Sequence, residues 1–422
     1  MKSMRKEIFT IILLCLTVTS SDAITREAAV QYALENSESF RMNMETSEAM
    51  REQGRGVAAF TEPRFSLSGG YTRMGDNRED NPYSASPDKD VSVEVTASKL
   101  LFAGGRIENS RYLGENFRRQ ADIQEQTGKR DIQSQVWMAF DAVLYQKAAL
   151  DIQKDRLKQR QAEIEDAQDL KEAGMVTSLD VRQSKLNLHF AQDELKSGEA
   201  LYENALTDFN LSIGRPENED PQIPEGDLRK VPELKMIMSR LEASLSQNDF
   251  LDMQSVQARA DAAKLNFEIA EGEDFPEVAV AASGKSNGEK LSNMDESWTL
   301  GIQVNWNIFD GGLVQAKSLE AKANMRKADE NLTRTRKALA GDVEKIGVNL
   351  RSLEQRIRLQ QEAVELSREN YEDARGHYRA GTITLTRLGE FNLSYAEARF
   401  NLLRLFFLQR QEQINAESLL EK

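Results

Sequence analysis

The chain repeats itself at a spacing of 207 residues, and this duplication constrains its fold more than any other feature. "FAGG" at Phe102–Gly105 returns as "FDGG" at Phe309–Gly312, and the "EAG" ending at Gly174 returns as the "RAG" ending at Gly381. The stretches between these landmarks are therefore equal in length. They also share an apolar register. Leu339, Val343, Ile346, Leu350, Leu353 and Ile357 are spaced alternately four and three apart; one repeat earlier stand Ile132, Val136, Ala139, Val143, Gln146 and Leu150. Such spacing marks helices packed as in a coiled coil. Landmarks that recur in register indicate one module used twice.

The prolines show where long helices fit. None lies between Asp88 and Arg215, and none follows Pro276. Proline removes a hydrogen bond from a helix interior and clashes with the preceding turn. Both stretches can thus hold helices of about 65 residues, roughly 100 Å long. Pro216, Pro221, Pro224 and Pro232 cluster among acidic and amide residues, which reads as an exposed linker over 216–232. The expected layout is a first repeat over 24–215, the linker, and a second repeat over 233–422. Each repeat reads as a short helix, a second helix, two strands, a long helix, a glycine turn and a final helix.

The strands are unusual for so polar a chain, whose mean hydropathy is −0.58. From Trp298 to Ile308 apolar and polar residues alternate without a break. Side chains on a strand point to opposite faces with a period of two, so this strand has one oily and one wet face. Expected strands cover about 64–74 and 91–102 in the first repeat and 276–284 and 297–309 in the second, the last crossing a membrane thickness. The connecting stretches "GDNREDNPYSASPDKD" and "GKSNGEKLSNMDES" read as loops. Four strands cannot close a membrane barrel, for which about eight is the minimum. Three chains would pool twelve. The fold class is α+β, mainly α, and the apolar stripe with polar flanks suits a helical tube wall with water on both sides.

No internal apolar run reaches the length of a transmembrane helix. Residues 1–23 read as a signal peptide: Lys2, Arg5 and Lys6, then the apolar Ile8–Val18, then Ser21-Asp22-Ala23. The single cysteine, Cys15, lies in that apolar run and follows Leu14 rather than a small residue, so no lipoprotein or disulfide chemistry is expected. The net charge of −14 argues against nucleic-acid binding. With only His189 and His377, no catalytic triad can be assembled. "SGKS" at Ser283–Ser286 lacks the upstream glycine of a P-loop, with Ala279 in its place. Acids scattered along helices read as a solvated face. No catalytic, cofactor or metal site is expected, and the chain is read as not an enzyme.

The ordered set of the two units, the "FAGG" and "FDGG" junctions and the turns "EAGMVTSLDV" and "YRAGTITLTRLGE" resembles the TolC-type outer membrane efflux proteins of Gram-negative bacteria. The resemblance covers essentially the whole mature chain. It implies a homotrimer: a 12-stranded β-barrel in the outer membrane, continued by a long periplasmic α-helical barrel. It further implies the exit duct of a drug efflux pump or type I secretion system, working with a periplasmic adaptor (membrane fusion protein) and an inner-membrane transporter of RND or ABC type. "ENSES" and "SQNDF" stand where many members have Asn-Pro, a local departure. By resemblance, Asp180 and Tyr378 fall on gate positions, Ile383 replaces the arginine of that network, Glu390 matches one constriction acid and Arg387 replaces the other. The turns around Gly174, Met175 and Ser178, and around Gly381, Thr382 and Thr384, fall where an adaptor would dock. Alternation marks Trp298, Leu300, Ile302, Val304 and Trp306 as lipid-facing. The alternative is a soluble periplasmic helical adaptor or scaffold, which would not need Trp298 and Trp306 on an apolar strand face.

Overall fold

The computed structural model describes residues 23–73, 89–216, 218–230 and 233–420. The body of the expected leader with Cys15, the first hairpin's connecting loop with Pro82 and Pro87, and Pro232 lie outside the described residues.

The long helices obey the duplication to the residue. Helix α3 (Arg106–Glu172) and helix α7 (Leu313–Arg379) have 67 residues each, and α4 (Ser178–Ser212) and α8 (Leu385–Leu420) begin 207 residues apart. Before them come α1 (Arg26–Asn36) and α2 (Glu38–Ala59) in the first copy, and α5 (Leu234–Gln247) and α6 (Leu251–Gly272) in the second. All six positions of the second apolar stripe are buried. In the first copy Ile132, Val136, Val143 and Leu150 are buried, whereas Ala139 and Gln146 are half-buried.

The chain forms two compact units, and each draws on both repeats. One comprises residues Glu38–Ser134, Pro232–Ser352 and Glu412–Lys422. It holds a four-stranded antiparallel sheet in the order β2 (Arg64–Arg73), β3 (Lys89–Phe102), β5 (Glu277–Lys290), β6 (Asn293–Asn305). A core of Ile237, Leu241, Phe250, Met253, Leu339, Val343, Ile346, Leu350, Ala416 and Leu420 joins α5, α6, α7 and the end of α8. Each Val, Leu, Ile, Phe or Met side chain of this kind contributes about 1.5–3 kcal/mol on full burial. Helices α2 and α3 touch at Gly54 and Gly114, where an added Cβ on Gly54 would come within 2.6 Å of the Gly114 carbonyl oxygen.

Two strand limits differ from expectation. The polar stretch read as a loop from Gly284 continues both strands, and the chain reverses at residues 291–292 between Lys290 and its partner Asn293. At the other end β6 stops at Asn305, opposite Glu277, rather than reaching Phe309. The next residue before Glu277 is Pro276, which has no N–H to extend the ladder. Trp306 therefore follows the strand instead of lying in it; its indole N–H donates to the Asp274 carbonyl at 3.1 Å.

The second unit comprises residues up to Ser37, Gln135–Val231 and Leu353–Gln411. Here the segment expected as an exposed linker is exposed over most of its described residues but is pinned at a few points. Strand β4 (Ile223–Pro224) pairs in parallel with β1 (Ala23–Ile24), and Leu228 is buried. The Asn210 side chain replaces a ladder partner: it accepts from the Gln222 N–H at 2.8 Å and donates to the Gln222 carbonyl at 3.1 Å. Buried Asp141 accepts two hydrogen bonds from Arg410, at 3.0 and 3.1 Å, and Arg410 also donates to the Lys230 carbonyl. The connector is thus held by the same arginine that ties α8 to α3.

Candidate functional site

Two places carry the functional expectations: the sheet and the paired helix turns.

The register of the sheet sorts its side chains cleanly. Phe65, Ala97, Ala282 and Leu300 share one row, and Leu67, Val95, Gly284 and Trp298 share another on the same face. Ile302 and Val304 continue that face, opposite Val280 and Val278. Trp298, Leu300, Ile302 and Val304 are all largely exposed, Trp298 at 81%. Lys99 is the charged exception among these rows, beside Val280 near the strand's helix-proximal end, where a long side chain can snorkel toward water. The opposite face carries Arg64, Ser66, Ser68, Thr96, Ser98, Ser283, Thr299 and Gln303. Four strands contributed by two hairpins thus present one continuous apolar face. "SGKS", set aside as a P-loop, lies within β5.

The two helix turns are built alike. Gly174 and Gly381 have φ of +73° and +71°, a conformation glycine adopts without a steric penalty. After α3 the Gly174 N–H donates to the Lys171 carbonyl and the Met175 N–H to the Leu170 carbonyl. After α7 the Gly381 and Thr382 N–H groups donate in the same way to the carbonyls of Tyr378 and His377. Both are Schellman closures, which satisfy the last carbonyls of a helix.

The helices that follow start differently. Thr177 caps α4: its hydroxyl oxygen accepts from the N–H groups of Leu179 and Asp180, and the Asp180 carboxylate accepts from the Thr177 N–H at 2.8 Å. That reciprocal capping box holds the Asp180 carboxyl below its usual range, chiefly through the Thr177 hydroxyl. One repeat later Thr384 accepts from the Arg387 N–H, but arginine stands where the reciprocal acid would. Arg387 pairs instead with Glu390 at 2.6 Å and lies 4.8 Å from the ring centre of Phe391. Ser178 opens α4 and is exposed, as are Gly174, Met175, Gly381, Thr382 and Thr384.

Tyr378 is buried in a cluster with Ala167, Leu170, Val181, Tyr371, Ala374, Leu385 and Leu388, against which Ile383 packs. Its hydroxyl has no hydrogen-bond partner among the described residues. Burial, with the negative charges of Asp180, Asp166 and Glu163 adding to it, pushes its pKa up to about 12.

Beside this cluster sits a polar network that sequence reasoning missed. Glu163, 1% exposed, pairs with Arg160 at 2.6 Å and accepts from the Tyr371 hydroxyl at 3.3 Å and the Asn392 amide at 3.1 Å. Asp166 pairs with Arg375 and Arg379 at 2.8 and 3.3 Å. Desolvation pushes the Glu163 carboxyl above its usual range. A signal existed: Arg160 and Glu163 continue the three-and-four spacing toward buried Ala167 and Leu170, so charges occupy core positions. Among the described residues no group of three or more His, Cys, Asp or Glu side chains is arranged to hold a metal ion. His189 and His377 bond locally, to Gln192 and Thr382.

A sheet with one oily face, joined to long helix pairs of coiled-coil spacing, defines a membrane-anchored channel wall. The chain belongs to the outer membrane efflux protein family, which matches residues 29–215 and 243–420. Family and structural relatives are channel proteins of the outer membrane, so the soluble scaffold reading is set aside. The fold is shared with the CmeC outer membrane channel of Campylobacter jejuni, with a TM-score of 0.82 and 13% identity over 94% of this chain and 85% of that one. It is also shared with the outer membrane protein VceC of Vibrio cholerae, with a TM-score of 0.80 and 16% identity over 93% and 95% of the two chains. Nodulation protein T of Rhizobium leguminosarum bv. trifolii is 26% identical over 153 residues, which span 35% of this chain and 32% of that protein.

Proposed function

We propose that this chain is the outer-membrane exit duct of a tripartite efflux pump or type I secretion system and works as a homotrimer. The observation that carries the proposal is the row-by-row agreement of four strands on one apolar face. Strands β2 and β6 are the two edges of this sheet. An open edge in hydrocarbon leaves backbone N–H and C=O groups unpaired, at several kcal/mol each. Pairing β6 of one copy with β2 of the next removes every edge when three copies form a twelve-stranded barrel, with lipid outside and the hydroxyl-rich face inside.

In this reading the helix turns meet the partners. The turns at Gly174, Met175 and Ser178, and at Gly381, Thr382 and Thr384, receive a periplasmic adaptor that joins the duct to an inner-membrane transporter. Asp180, Tyr378, Ile383, Arg387 and Glu390 form the periplasmic gate. Two near-identical turns, both rigidly closed, suit a repeated docking surface. Single cysteines at Ser178 and Thr384 should capture the adaptor by crosslinking in cells, whereas a cysteine at Ser286 in β5 should not. Equal capture at all three positions, or capture at Ser286 alone, would contradict the docking assignment.

A further inference from the structure

The inward-facing rows of the sheet carry a charge pattern that the fold does not require. In order along the strands, the first row is Leu100, Ala279 and Gln303; the second is Arg64, Ser98, Ala281 and Gly301. The third consists wholly of hydroxyl side chains: Ser66, Thr96, Ser283 and Thr299. The fourth is Ser68, Glu94, Lys285 and Ser297, and the fifth is Gly70, Ser92, Asn287 and Asp295. The fourth row is the only one of the five that holds both signs, and there Glu94 and Lys285 stand directly opposite each other on β3 and β5. Arg64 below and Asp295 above bring these five rows to two bases and two acids; at the ends of the sheet the same face adds Asp90, opposite Thr72, and Glu277, which pairs with Arg106.

The radius decides whether such charges matter. Twelve strands about 4.8 Å apart and tilted about 40° close at a backbone radius of roughly 12 Å. Side chains of Glu and Lys length reach about halfway to the axis. The Debye length is about 10 Å at 0.1 M salt. Every ion crossing this row therefore passes within screening distance of its charges.

We propose that Glu94 and Lys285 are specificity-determining residues of the channel: together they hold the middle of the barrel near neutrality, so that polar cargo of either charge passes this row, and removing one makes the row selective. This rests on the duct reading given above, in which the hydroxyl-rich face lines water. The row directly below, made wholly of serine and threonine, offers hydrogen bonds to any hydrated solute without preferring a sign.

The test is the reversal potential of the purified full-length trimer in planar bilayers under a potassium chloride gradient. Glu94→Gln should lower the potassium-to-chloride permeability ratio by about twofold or more, and Lys285→Gln should raise it by a similar factor. Ser286→Lys, one residue away but on the apolar face, should leave it unchanged. Where a glutamine variant assembles poorly, Lys285→Cys modified in the open channel by a negatively or positively charged thiol reagent gives the same reading, with opposite shifts expected. Shifts of equal sign for the two glutamine variants, no shift in either, or a shift from Ser286→Lys would overturn the proposal. Channels that conduct normally but show no such shifts would leave the duct reading standing, whereas a wild-type protein that forms no channel would overturn both.

Discussion

Asp180 and its counterpart Arg387 occupy the same place in the two repeats, yet they do different work. Asp180 completes a capping box and is held ionised by it. Arg387, at the positive end of α8, turns to Glu390. The resemblance placed gate residues at both positions, but Asp180 spends its hydrogen bonds on the cap of its own helix. Glu163 is the more consequential single residue. Its carboxyl is raised above the usual 4.5 by burial, which outweighs its bonds to Arg160 and Tyr371. A raised folded-state pKa means that the folded chain holds the proton more tightly than the unfolded one. The contribution is fully stabilising below about pH 4.5 and is lost as pH rises through the folded value. Glu163→Gln is expected to remove this dependence. The difference in thermal midpoint between wild type and variant should therefore move against the wild type as pH rises from about 4 to 7. A constant difference across that range would show that the Glu163 carboxyl has the same pKa in the folded and the unfolded chain.

At the scale of elements, sequence and structure agree where a periodicity had only one solution. The long helices were legible because proline is absent and the apolar stripe runs with a coiled-coil spacing; the turns were legible because glycine closes both. The strand limits were less so. Polar residues from Lys285 onward looked like a loop, but the ladder between β5 and β6 continues through Asn287 and Asp295, and backbone pairing does not depend on apolar side chains. Residues 216–232 looked exposed because they are rich in proline and acids, and most of the described ones are; the composition did not show that Asn210 and Arg410 pin the segment at Gln222 and Lys230. The capping box gives a test at this scale. Asp180→Ala removes one half of the N-terminal closure of α4 and should cost about 1 kcal/mol. Fraying at the first turn should then appear as faster amide exchange at residues 178–182, with α8 unaffected. In the gate reading the same variant raises single-channel conductance. Unchanged exchange in α4 would mean that Thr177 alone suffices as cap.

For the whole molecule, closure, trimer formation and a water-lined interior all follow from which face of the sheet meets lipid. Ile302 and Gln303 are neighbours on β6 and point to opposite faces. An arginine at a lipid-facing position near the bilayer centre costs about 2–4 kcal/mol, and far less where the side chain faces water. The measurement is the yield of heat-modifiable trimer in isolated outer membranes for Ile302→Arg and Gln303→Arg side by side. The account predicts trimer near the wild-type level for Gln303→Arg and strongly reduced trimer for Ile302→Arg; equal yields, or the reverse order, would contradict it.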